Sequence, residues 1–355
     1  MKNAIRLLKY ARPYWKYLII SVVAIIGLTL SRLAGPWIIR TLIAMISNKD
    51  PLLKEKAFGY ALLLAGIYAL VGVFEFMKSY LTHYAAWNFV SDMRVMVYNH
   101  LQKLSLRFYH DKQTGQLMSR TSNDTATLET LIAHATPDLI ANVLILAGVS
   151  VILFSINPVL ALLSLSTVPF LAIAVWVFAT KVRPMFRHSQ QTLAEFNAAL
   201  HDNLSGIKEI QVFNQQEREQ KKITKSSQTY ANAILRALKL SAIYHPSVEF
   251  FNNLGMVLVI GVGGYLASMS KIPIEDIIAF VMYLSMFYQP ISTLGRLNED
   301  MQNALAGADR IFEILDTEPD VKEKPNAYKL GRVSGHLVFR NVSFQYNKGV
   351  DVLKN

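Results

Sequence analysis

The chain has 355 residues, 52% of them hydrophobic and 17% charged, with a mean hydropathy of +0.27 and a net charge of +11. Soluble domains carry roughly 25% charged residues, so an ordinary soluble fold is disfavoured. Basic residues concentrate between apolar runs, which points to anionic lipid headgroups rather than nucleic acid as their partner; the absence of cysteine excludes disulfides and thiolate metal centres.

Residues 1–16 carry Lys2, Arg6, Lys9, Arg12 and Lys16 with no acid. Ile5, Leu8 and Trp15 fall at helical spacing, which predicts a short amphipathic elbow helix in the headgroup plane, anchored by Tyr14 and Trp15. The segment is too basic, and lacks the small-residue site, for a cleaved signal.

Six apolar runs follow, approximately Tyr17–Ile46, Ala57–Met77, Leu139–Ile156, Val159–Ala179, Val248–Met269 and Ile274–Ile291. Each suffices to cross about 30 Å of hydrocarbon at ~1.5 Å per residue. The expected fold is an all-α membrane protein with six transmembrane helices and long cytoplasmic extensions, its membrane domain covering 17–315. Basic residues number five in 1–16, six in 78–138 and ten in 180–247, against four in the short connections. By the positive-inside rule both termini are expected in the cytoplasm.

The long connections 78–138 and 180–247 are predicted as helical hairpins. After the second span Leu81, Ala85, Phe89, Met93, Val97, Leu101, Leu104 and Phe108 form one apolar stripe; Phe186, Leu193, Phe196, Leu200, Leu204 and Ile207 form another after the fourth. The first tip is FYHDKQTGQLMSRTSND, Phe108–Asp124, where Gln113, Thr114 and Gly115 break the helix and Thr121–Asp124 offer caps for the next. The second tip is the polar VFNQQE, Val212–Glu217, followed by a basic return helix. Periodicity alone leaves open whether these hairpins are levers or mere spacers.

Beyond the sixth span 296–316 continues as helix, 316–334 reads as a linker with Pro319, Pro325 and Gly331, and Gly335–Tyr346 alternates as a strand. That strand opens a new domain, and 335–355 is too short to bury a core, so the sequence is expected to be cut within it.

Several ionisable and aromatic residues sit inside the spans. Arg32 falls near mid-membrane, for recognition of an anionic or amphiphilic substrate or for intramembrane pairing. Arg40 reads as a snorkelling residue near the outer boundary, and Glu75 with Lys78 as a local i,i+3 pair. Phe280, Tyr283, Phe287 and Tyr288 form an aromatic stripe on the sixth span beside Met282 and Met286, suited to a substrate cavity or to helix packing. Pro36, Pro169 and Pro290 are expected to bend their helices. The eight histidines show no ligand spacing, and His83, His100 and His110 read as helix-surface residues, so no metal site is expected.

Six spans, two deep hairpins, FYHDKQTGQLMSRTSND, GIKEIQVFNQQE and the close ALAGADRIFEILDTEP together resemble the transmembrane half of an ABC exporter, and HLVFRNVSFQY is similar to the opening of that family's nucleotide-binding domain. The resemblance covers essentially the whole chain. It implies a half-transporter that dimerises with an identical or sister chain, and coupling helices at the hairpin tips that seat in ATPase domains. By match these are Gln113, Thr114, Gly115, Gln116, Leu117, Ser119 and Arg120 in the first, and Val212, Phe213, Asn214, Gln215, Gln216 and Glu217 in the second, which reaches the partner chain's ATPase domain. It also implies ATP and Mg2+ in the complete protein, with Tyr346 stacking on adenine. No GxxxxGK[ST] phosphate loop occurs in the sequence, so this chain alone is not expected to hydrolyse ATP, its motor being either truncated or a separate subunit. The expected function is export of a drug, lipid or peptide by alternating access. A membrane-embedded scaffold or receptor holding a cytosolic partner is the other reading; an ion channel lacks both a re-entrant filter and a repeated-arginine sensor.

Overall fold

A computed structural model describes residues 2–110, 112–321, 324, 326–328, 331–347 and 350–354. Helices dominate: α1 Lys2–Tyr10, α2 Trp15–Ser47, α3 Leu53–Leu101, α4 Leu106–His110, α5 Thr114–Ser119, α6 Thr125–Glu129, α7 Thr136–Ile156, α8 Pro158–Leu165, α9 Val168–Val177, α10 Arg183–Ser205, α11 Ile207–Val212, α12 Gln216–Ser268 and α13 Ile274–Leu315. Among the described residues six helical stretches are long and apolar enough to cross a membrane, and this is an integral membrane protein.

The turns between spans follow from local chemistry. Asn157 stops α7 in an extended conformation and caps α8, its side-chain oxygen accepting from the amides of Val159 and Leu160, while Pro158 occupies the first turn where no amide is needed. Lys49 and Ser270 adopt positive φ at the other two short connections. Pro36 and Pro290 lie inside continuous helices. Pro169 instead opens α9 after a break at Ser166–Thr167 that divides the fourth span.

Two apolar clusters hold the bundle. The span cluster gathers Leu33 of α2, Val149 and Leu153 of α7, Leu160 of α8, Val259 of α12 and the stripe Ala279–Tyr288 of α13. Its surroundings are lipid, so close packing and hydrogen bonds hold it rather than escape from water. The second cluster lies on the hairpin side, where α1 contributes Leu7, with Ala11 just after that helix, α3 contributes Phe89, Val90, Met93, Val97 and Leu101, α5 Leu117, α6 Leu128, and α13 Ala308, Ile311 and Phe312. There each fully buried Phe or Leu contributes about 1.5–3 kcal/mol by leaving water, which is why α3 runs far past its apolar window as one helix. In α1 the buried residue is Leu7, with Ala11 buried just beyond it, while Ile5, Leu8 and, at the start of α2, Trp15 point outward, leaving an apolar face for lipid.

Three expectations are corrected. Thr121–Asp124 do not cap a new helix: Thr114–Ile156 is one helical path whose wide, π-type turns fall at Arg120–Asp124 and Thr130–Ala135. Thr121 bonds back to the Leu117 carbonyl, and Asp124 is taken by a distant arginine. The expected strand Gly335–Tyr346 shortens to β1 Phe344–Asn347, paired antiparallel with β2 Val350–Leu353 through an irregular register; Leu337 and Phe339, lacking a sheet to join, stay 77% and 79% exposed. The second tip has its short helix at α11, upstream of Val212–Glu217, and Asn214 turns the chain with φ +52°.

Candidate coupling site

The first tip faces two ways. Gln113, Thr114, Gly115, Gln116 and Ser119 are exposed, and Met118 is 67% exposed. A Cβ built on Gly115 meets nothing within 4 Å. Within Gln113–Ser119, Leu117 turns inward, 5% exposed, into the hairpin-side cluster.

Behind the tip a layer of ion pairs ties the hairpin to the end of α13. Arg310 donates from Nε and an η nitrogen to the two oxygens of Asp124, both at 2.7 Å. Hydrogen bonding to that carboxylate is the main effect raising the guanidinium above its ordinary pKa, against a smaller lowering by burial, so its charge is constant at any working pH. Arg120 bonds Glu313 at 2.8 Å, with Lys112 4.0 Å from the same carboxylate. Gly307 lets the two helices close: a Cβ there would sit 2.4 Å from Thr127 Oγ1 and 3.1 Å from the Asp124 carbonyl oxygen. From α1, Arg6 grips Asp316 through two 2.7 Å bonds and Asn3 bonds Asp309 at 2.7 Å. His100 lies 2.9 Å from the Thr317 carbonyl. The tip, the elbow helix and the last helix are therefore one block.

The second hairpin is the opposite. Between 183 and 247 only Ser189, Thr192 and Ala237 are buried among the described residues, because α10 and α12 pack chiefly on each other below the spans. Val212, Phe213, Asn214, Gln215, Gln216 and Glu217 are all exposed, Val212 at 79% and Phe213 at 70%. The root is held by Arg183 against Glu299 of α13 at 2.8 Å.

In the spans, the aromatic stripe packs inside this chain. Phe280 and Tyr283 are fully buried, Phe287 and Tyr288 nearly so. The Tyr283 hydroxyl donates to the Leu33 carbonyl at 2.7 Å. Tyr288 donates to the Ser164 carbonyl at 2.9 Å and lies 3.1 Å from Thr167 Oγ1, across the break in the fourth span. The Tyr288 hydroxyl thus supplies a donor to the backbone at the break in the fourth span. A largely apolar cavity of about 340 Å³ lies beside the elbow helix, between Leu8, Leu18, Ile25, Ile132, Ile140 and Met301.

Ion pairs in the spans differ from sequence expectation. Arg32 pairs with Glu75 at 2.8 Å. Lys78 bonds Asp138 at 2.8 Å and sits 3.9 Å from Glu75, so its main partner is on another helix. Arg40 does not snorkel: it bonds Asp276 at 2.6 Å and lies 4.9 Å over the Trp37 ring. Separations of 43, 60 and 236 residues hid all three partners. Tyr346 lies in β1, but its side chain is outside the described residues.

Comparison with known proteins agrees with this architecture. A family model described as ABC transporter transmembrane region matches residues 18–291. An ATP-dependent lipid A-core flippase of Dechloromonas aromatica is 30% identical over 96% of this chain and 58% of its own length. The uncharacterized ABC transporter ATP-binding protein YknV of Bacillus subtilis is 29% identical over 97% of this chain and 57% of its own. The putative multidrug export ATP-binding/permease protein YgaD of the same organism is 26% identical over 97% and 60% respectively. The chain therefore spans somewhat over half the length of the curated relatives it matches.

Proposed function

The chain belongs to the family of ABC transporter transmembrane regions, and from that premise we propose that it is the membrane half of an exporter in which its two hairpin tips receive motion from ATPase domains. The observation that carries this reading is the two-faced first tip. Met118 and the Gln113–Gln116 backbone are open for a docking partner, while Leu117, Asp124 and Arg120 bind the same segment to α13. A displacement of the tip therefore moves the sixth span. Packed helices shift between discrete arrangements rather than deforming smoothly, so such a block works as a lever.

The exposed apolar pair Val212–Phe213 and the sparsely buried legs α10 and α12 support docking of the second tip on another subunit, identical or sister, in a dimer. The residues here do not fit a nucleotide's phosphates, since no glycine-rich phosphate loop exists in the chain; ATP and Mg2+ belong to the ATPase domains. Exposed apolar residues at 337–339 and in β1–β2 favour reading 335–355 as the start of such a domain. We further propose cytoplasmic termini, on the charge bias of the connections, and an amphiphilic or hydrophobic cargo.

The test is amphiphile-stimulated ATP hydrolysis by the chain together with its ATPase domains in liposomes, screened over lipids, drugs and peptides. At least one amphiphile should raise turnover and be moved across the bilayer. Hydrolysis indifferent to every amphiphile, with no cargo moved, would contradict the assignment.

A further inference from the structure

Three side chains near the base of the first hairpin carry chemistry that neither docking nor the ion-pair layer uses. His83 Nδ1 lies 3.0 Å from Glu129 Oε1, and His134 Nε2 lies 3.6 Å from the same oxygen. All three donor atoms fall within 4.8 Å of one another. The two imidazoles face each other with centroids 4.9 Å apart and planes at 76°.

The local backbone explains why these residues meet. His83 stands on α3, Glu129 ends α6, and His134 belongs to the π-type turn Thr130–Ala135. In an α-helix, residues five apart diverge by roughly 140° at 3.6 residues per turn. A π turn bonds residue i to i+5 and brings the two onto one face, and such turns recur at functional sites. Ordinary helical spacing could not have revealed the pair, and the third member is 46 residues upstream of Glu129 in sequence.

We propose that His83, Glu129 and His134 bind a divalent transition ion of the Zn2+ class, linking α3 to the helix that returns from the first hairpin. Two imidazoles and one carboxylate are the donor set such ions accept, with the fourth position left to water. Metal–ligand bonds of about 2.0–2.2 Å in tetrahedral array set donors roughly 3.3–3.5 Å apart. The two separations to Glu129, 3.0 and 3.6 Å, bracket that range, and the two imidazole donors lie within 4.8 Å of each other, close enough to draw in on an ion. Glu129 is largely buried with 15% of its side chain exposed, while His134 at 51% gives an ion a way in. With no cysteine in the chain, no thiolate competes.

The experiment is titration of the metal-stripped full chain in detergent with Co2+, read by its visible absorption, then displacement with Zn2+. One ion per chain is expected, with tetrahedral-type absorption. His134→Gln and Glu129→Gln should each weaken binding by about tenfold or more, while exposed His188→Gln leaves it unchanged. Zn2+ should raise the Tm of the parent but not of His134→Gln, whose half-exposed position keeps the fold intact. Absence of a stoichiometric ion, or equal binding in His134→Gln and Glu129→Gln, overturns the proposal.

Discussion

Arg310 holds both carboxylate oxygens of Asp124 from 186 residues away, joining the first hairpin to the last helix through a planar two-bond clamp. Asp124 is 8% exposed, so it depends on that partner. Charged hydrogen bonds of this kind contribute about 1.5–3 kcal/mol, and the Arg310 side chain's exposure of 46% places the clamp at the low end.

Replacing the guanidinium should therefore loosen the block. Arg310→Met is expected to destabilise the chain by about 1–2 kcal/mol, and Arg310→Lys by less, since an ammonium keeps the charge but loses the fork. Thermal unfolding in detergent measures both; equal Tm values for parent and Arg310→Met would remove the clamp from the account.

A second relationship lies in the spans, where Gly255 makes room for the Tyr288 hydroxyl. A Cβ on Gly255 would stand 1.9 Å from that oxygen and 3.2 Å from Thr167 Oγ1. Gly255→Ala should thus cost about 1–3 kcal/mol by overpacking. Adding Tyr288→Phe should recover part of the loss although it sacrifices the bond to Ser164. Strict additivity of the two Tm changes would show that the collision does not govern the site.

The helical framework was legible because it is local. Apolar runs of fixed length, Asn157-Pro158 at a sharp turn and the α3 stripe Ala85–Phe89–Met93–Val97 all declare themselves within a few residues. Asp124 was misread for the opposite reason. Its flanking Thr, Ser and Asn favour a cap, but Arg310 offers a stronger partner and tertiary contact overrides propensity. The aromatic stripe was visible, yet periodicity cannot say what it faces; in this chain it faces Leu33 and Ser164. His83, Glu129 and His134 were hidden by a π turn that changes the period itself. The strand over-extended because β pairing needs neighbours, and Leu337–Phe339 have none among the described residues.

Arg32 and Glu75 invite a double-variant test. An arginine at the centre of a span costs about 2.5–3.5 kcal/mol when left unpaired. Glu75→Leu should therefore lower Tm more than the combined Arg32→Leu and Glu75→Leu, which removes both charges together. A double variant less stable than Glu75→Leu alone would assign Arg32 a partner other than Glu75.

The lever is tested most directly at Gly115, where added atoms meet nothing within the chain. In liposomes, with the ATPase domains present, Gly115→Val should keep the parent's Tm and continue to hydrolyse ATP while cargo moved per ATP falls by about tenfold or more, equivalent to ~1.4 kcal/mol of lost coupling. Undiminished transport per ATP in that variant would contradict the claim that the first tip carries the motion.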